Sequence, residues 1–188
     1  MIGIPLGLLY ANGIEWTIHK YVLHGLGKDR KSTYSYHYHD HHKACRKNDF
    51  IDSSYKTTAL KGHKEGHEIK SLTVFTLVHL PIAPVAPFFA MTGVYCAFNY
   101  YRKHKKSHLD KDWANKNLPW HVDHHMGKNA DANWCVTQPW FDHLMGTRID
   151  YSGLEKPDLV SRTMIKTRKK LLKVKNLLSG SKESLAAL

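Results

Sequence analysis

Cysteine is scarce in this chain, and its placement excludes several functions. Only Cys45, Cys96 and Cys135 occur among 188 residues. They are scattered and odd in number, with no Cys-x-x-Cys pair, so neither a zinc ribbon nor a disulfide framework is indicated, and a reducing compartment fits best. Cys-x-x-Cys-His, the haem-attachment motif, is missing, as is the Gly-x-Gly-x-x-Gly nucleotide fingerprint. Acidic residues are also few: 16 Asp and Glu against 28 Lys and Arg leave a net charge of +12. A charge of that sign suits a polyanionic partner, either nucleic acid or an anionic membrane surface. Charge is missing altogether from Ser71–Asn99, which contains no Asp, Glu, Lys or Arg. That run argues against a nucleic-acid binder and for a membrane protein with a large polar cap.

The length suits one domain with a tail, divided here as residues 1–150 and a basic tail over 151–188. Met1–Trp16 is apolar apart from Asn12 and Glu15. It has no basic leader and no small-residue cleavage site, so a half-inserted helix running out through Leu23 is expected rather than a cleaved signal. Ser71–Asn99 as one straight helix would be about 44 Å long, more than the roughly 30 Å hydrocarbon core. Pro81, Pro84 and Pro87 interrupt it, and a helical hairpin turning there is expected. Lysines and arginines follow both apolar stretches, at 20, 28, 30 and 31 and at 102, 103, 105 and 106, which places those ends on the cytoplasmic side. Trp134, Trp140 and Phe141 suit a membrane interface. Ala44–Lys70 is polar and mixed in charge, Gly62, Gly66 and the lysines around them read as a solvated loop or short helix, and Glu155–Leu188 reads as a basic amphipathic or solvated tail.

Histidine is abundant, with 15 residues. Ten fall into four groups: His19 and His24; His37, His41 and His42; His104 and His108; His121, His124 and His125. The order is pair, triple, pair, triple, and each pair follows an apolar stretch. Spacings of i, i+4 stack imidazoles on one helical face, which is expected of His37 with His41, His104 with His108 and His121 with His125. His19 and His24, at i, i+5, reach a common site only if the helix ends or bulges there as π-turns do. Ten neutral nitrogen ligands suit two metal ions at about five each. Asp40 and Asp123 stand beside ligands and are expected to orient imidazole N–H groups, with His143 as a further supporting residue. His39, His63, His67 and His79 are left outside the site.

These groups, with Lys106–Asp110, Leu118–His125, Asn133-Trp134 and Phe141–Arg148, resemble the membrane-bound fatty acid hydroxylase / sterol desaturase superfamily. The likeness covers roughly Glu15–Arg148. It implies an all-α integral membrane fold of short transmembrane helices or helical hairpins under a cytosolic histidine-rich helical cap. It further implies the ten histidines as ligands of two iron ions, O₂ as co-substrate, and hydroxylation or desaturation of a lipid. No catalytic residue beyond the metal ligands is implied. With no redox cofactor motif of its own, such a chain takes electrons from a separate cytochrome or ferredoxin-type donor, and a basic cap suits an acidic one. Zinc competes for the same nitrogen ligands and can accompany purified protein. Three details depart from the family pattern: three residues separate His37 from His41 where two is common, Cys135 stands where glycine is frequent, and the N-terminal apolar part is short. A different class also fits the histidines, a non-catalytic metal-binding membrane protein.

Overall fold

The computed structural model describes residues 2–57 and 63–151. The tail expected over 151–188 lies outside these residues, apart from Tyr151. Among the described residues every regular element is helical. Helix α1 (Gly3–Thr17) passes without a break into a π-helix over Ile18–Gly25 and a short 3₁₀ turn over Leu26–Lys28. A second π-helix, Tyr36–His41, leads directly into α2 (His42–Lys47). After a 3₁₀ turn at Ser53–Lys56 come α3 (His63–His79), a 3₁₀ turn at Leu80–Ile82 and α4 (Pro87–Leu109). Three short helices follow: α5 (Lys111–Asn117), α6 (Pro119–Met126) and α7 (Trp140–Leu144).

The helix starts follow local chemistry. Pro87 and Pro119 occupy the first turns of α4 and α6, where a missing N–H costs nothing and the fixed φ suits a helix. Asp110 caps α5, its side chain accepting from the Trp113 N–H at 2.9 Å. The proline-rich segment between α3 and α4 breaks the uncharged run into the two arms of a hairpin, as expected. The expectation of transmembrane helices is not met in the same way: no helix among the described residues is long and apolar enough to cross a membrane.

Glycine brings α1 close to α4. A Cβ on Gly3 would lie 2.9 Å from the Phe89 nitrogen, and one on Gly7 2.8 Å from the Thr92 Cβ. The pairing advances in the same direction along both helices, so α1 and α4 run parallel. Both deliver histidines at their far ends: His19 and His24 after α1, His104 and His108 within α4. The polar exceptions in α1 are clamps. Asn12 donates to the Gln138 carbonyl and accepts from the Phe141 N–H, while Glu15 accepts from the N–H groups of Val136 and Thr137 and from the Thr137 hydroxyl. Asp142 closes the same loop by accepting from the N–H groups of Trp134 and Cys135. Trp134 is thereby buried against the histidines rather than placed at a membrane surface, Phe141 packs on Trp16, and Trp140 is exposed.

Apolar side chains are exposed on the other halves of α1, α3 and α4. They include Leu6 and Leu9, Val74 and Val78, Val85 in the turn, and Met91 and Phe98. Large apolar side chains are thus exposed on all three of these helices. Ala44–Lys70, polar in composition, nevertheless buries Cys45, Phe50, Asp52, Tyr55 and Glu68, and of the loop or short helix expected around Gly66 the structure has the helix, as the start of α3.

Candidate metal centre

The fold gathers all ten histidines singled out above, and every one is buried. Their ring nitrogens sort into two clusters. In the first, His19, His24, His37, His42 and His124 each place one nitrogen within 4.8 Å of the others. The second is His104, His108, His121 and His125, and an overlapping group adds His41 and Cys45 to His108 and His125. The clusters abut: the His42 and His125 ring centroids are 4.3 Å apart.

Helix type decides the sorting. In each π-helix the turn is widened by about one residue, so i and i+5 share a face. His19 with His24, and His37 with His42, are such pairs, and both face the first cluster. The face expected for His37 and His41 is therefore corrected. In the α-helices, i and i+4 share a face, and His104 with His108 and His121 with His125 face the second cluster. The middle member of each triple crosses over: His124 joins the first cluster and His41 the second.

Five of the ten rings are held in one sense. Nδ1 of His19 donates to the Trp134 carbonyl, that of His124 to Ala132 at 2.7 Å, and that of His108 to Phe50 at 3.2 Å. Nδ1 of His41 faces Asp52 and that of His104 faces Glu68, each at 2.9 Å. These partners fix the proton on Nδ1 and leave a bare lone pair on Nε2. The Nε2 atoms then converge. The separations are 3.0 Å for His19 and His37, 2.9 Å for His24 and His42, 3.1 Å for His42 and His124, 3.2 Å for His104 and His108, and 3.1 Å for His108 and His121. In the pair His104 and His108 both Nδ1 atoms are committed, so two lone pairs face each other and no hydrogen bond can join them. Nitrogens about 2.1 Å from a shared ion stand roughly 3.0–3.4 Å apart, so a cation removes the conflict. Both ring nitrogens of His125 are buried without a hydrogen-bond partner. The donor set fits a nitrogen-ligated metal.

Electrostatics point the same way. Burial pushes His19 down to about 3 and His24 to about 2, against an ordinary 6.5. It also holds His37, His42, His108, His121, His124 and His125 well below the ordinary range, neighbouring histidines adding to the effect. All eight are neutral at pH 7, the state a metal requires. Burial works against the Asp52 carboxylate, but hydrogen bonds from His41 and Ser54 hold it below the usual carboxylate range.

The orienting residues expected from the sequence are not brought to the clusters. Asp40 is exposed, because the π-helix turns its neighbours inward and leaves it outside. Asp123 pairs with Arg148 at 3.0 Å, and His143 is exposed. Asp52 and Glu68 carry that role instead. Tyr55 donates to Glu68 at 2.7 Å and its ring stacks on His108. Neither carboxylate stands beside the histidine it holds: Asp52 is 11 residues from His41 and Glu68 is 36 from His104. Phe50 packs on His108 with its backbone at φ +80°, in the left-handed region. Cys45 Sγ lies 3.5 Å from His108 Nδ1. His79 is packed, its Nδ1 donating to the Phe75 carbonyl at 2.6 Å and its Nε2 accepting from the Tyr10 hydroxyl at 2.9 Å, as expected of a histidine outside the site. His67 stacks on Tyr36, and His39 meets the Lys28 carbonyl.

A cavity of about 640 Å³ runs between α1, α3 and α4. Its lining is mostly apolar, with Leu8, Ala11, Ile14, Leu72 and Phe75 among it, and it includes His19 and His37 of the first cluster and His41 and His104 of the second. Comparison of the chain with protein families, with characterised proteins and with solved structures gives no match.

Proposed function

We propose that this chain is a membrane-bound di-iron oxygenase that hydroxylates or desaturates a C–H position of a lipid, with its histidine-rich cap on the cytoplasmic side. The observation that carries this reading is the cavity, mostly apolar in its lining and including histidines of both clusters. A site meant only to hold metal has no use for a largely apolar cavity lined by two ligand sets at once. The two iron ions would be held by His19, His24, His37, His42 and His124, and by His41, His104, His108, His121 and His125.

When bound, the metal pair supplies the chemistry that activates O₂ for attack on an unactivated C–H bond. Hydroxylation consumes one O₂, two electrons and two protons and yields the alcohol and water. The protein residues do the rest. Carbonyls of Trp134, Ala132 and Phe50, with Asp52 and Glu68, lock imidazole orientation. The apolar lining excludes water and holds a chain against the ligands. A separate cytochrome or ferredoxin-type donor supplies the electrons, and the positive cap suits an acidic one.

A second reading, metal binding without catalysis, draws on the same all-nitrogen donor set, which favours zinc over Fe(II). O₂ uptake separates the two. Membranes containing the chain, given a donor system and a lipid extract, should consume O₂ in a lipid-dependent way, and His121→Ala should abolish it. Uptake unchanged by His121→Ala, or recovery of the protein in the soluble fraction without detergent, sinks the oxygenase reading.

A further inference from the structure

Cys45 differs from the histidines in chemistry but not in position. It lies in α2, four residues after His41, and turns to the same side. The residue is fully buried, and its carbonyl accepts from the Phe50 N–H at 2.7 Å. Sγ is 3.5 Å from His108 Nδ1 and 3.9 Å from His41 Nδ1. A tetrahedral ion with sulfur at about 2.3 Å and nitrogen at about 2.0–2.1 Å sets those two donors about 3.5 Å apart. Both spacings are within a few tenths of an ångström of that value.

His125 supplies an independent sign of a ligand site. Both of its ring nitrogens are buried without a hydrogen-bond partner, and one of them lies within 4.8 Å of Cys45 Sγ and of a nitrogen on each of His41 and His108. The three rings form a triangle, with centroids 4.4 Å apart for His41 and His108 and 4.8 Å apart for each of these with His125. Negative charge stands beside the group, since Asp52 Oδ2 lies 2.9 Å from His41 Nδ1. Neither of the other cysteines joins a ligand group among the described residues, and Cys135 Sγ instead donates to the Asn12 side chain at 3.7 Å.

The ring of His108 is common to this group and to the nitrogen-only group, and it decides between them. A neutral imidazole carries one proton. On Nδ1, that proton is donated to the Phe50 carbonyl at 3.2 Å, and the Nε2 lone pair faces His104 and His121. On Nε2, the proton is donated to His121 Nε2 at 3.1 Å, and the Nδ1 lone pair faces Cys45. One neutral ring cannot serve an ion on each side at once. We propose that His41, Cys45, His108 and His125 form a sulfur-containing position for zinc, and that filling it excludes an ion from the nitrogen-only position of His104, His108, His121 and His125. Thiolate is a soft ligand that selects zinc over Fe(II), and zinc accepts sulfur and nitrogen together in a tetrahedral shell. On binding, the S–H bond breaks, a sulfur–zinc bond forms, and the proton passes to the buffer. Neither position requires the chain to be an oxygenase, so this assignment and the oxygenase reading stand or fall separately.

Cobalt(II) is the probe, because it enters zinc sites and a thiolate ligand gives it a near-ultraviolet charge-transfer band that nitrogen ligands do not. The full chain, metal-free and in detergent, is titrated with cobalt chloride under argon. The wild type should develop the band and saturate at two ions per chain, one in each cluster. Cys45→Ser should lack the band while still taking up cobalt at its histidines, and Cys96→Ser should keep it. X-ray absorption of the zinc-loaded wild type should show a sulfur neighbour at about 2.3 Å. A wild type with no band and no sulfur neighbour, a band that survives Cys45→Ser, or a band lost in Cys96→Ser overturns the sulfur position. Saturation at three ions per chain overturns the exclusion.

Discussion

His41 and His124 each leave the side chains next to them in sequence and join the opposite cluster. Each cluster therefore depends on a residue from the other half of the chain. Wild-type protein should carry two metal ions per chain, and His41→Ala and His124→Ala should each lower the content toward one, measured by elemental analysis. Asp40→Ala, on an exposed position, should leave it at two. Glu68 acts differently: its carboxylate holds His104 Nδ1 without facing the ion. Glu68→Gln should keep the packing and weaken metal retention about 10–100-fold in a chelator competition. The histidines were legible in the sequence because they recur in groups, and grouping survives in one dimension. Asp52 and Glu68 were not legible, since each reaches its histidine from a separate segment whose polarity matches a solvated loop. Asp123 was misleading for the converse reason: adjacency to His124 and His125 on a helix points it elsewhere, to Arg148.

The helices convert spacing into address. The i, i+5 interval of His19 and His24 called for a π-turn, and one is present over Ile18–Gly25. The same device in Tyr36–His41 was concealed, because a triple spaced i, i+4, i+5 is compatible with either helix type. The proline-interrupted hairpin was readable from composition. The parallel contact of α1 and α4 was not, as it depends on Gly3 and Gly7 admitting Phe89 and Thr92. Small residues at four-residue spacing allow such close approach. Gly7→Leu should force the helices apart, at a cost of about 1–3 kcal/mol or more. Because α1 and α4 carry His19 and His104 onto the two clusters, the same variant should lose metal as well as thermal stability, read by calorimetry and elemental analysis together.

Among the described residues, exposed apolar side chains on α1, α3 and α4 contrast with a buried core of neutral imidazoles. That core makes the metal-free chain acid-sensitive. Eight histidines have folded values below the unfolded 6.5, so below that pH the unfolded chain takes up protons the folded one refuses, and stability falls as pH falls. All eight act in the same direction, so their effects on stability reinforce one another. For His19 the loss continues down to about 3. Metal-free protein should lose stability progressively as pH falls below 6.5, followed by circular dichroism, and metal should move the midpoint lower. Metal-free stability that does not fall below that pH would contradict this account. The direction of the helices adds a consequence of its own. The first π-helix, α4 and α6 all present histidines in their last turns, His24, His108 and His124 with His125. A helix carries roughly half a negative charge at that end, from its unpaired carbonyls. Three dipoles therefore point their negative ends at a pocket whose ligands have no charge, and the backbone itself makes that pocket a place for cations.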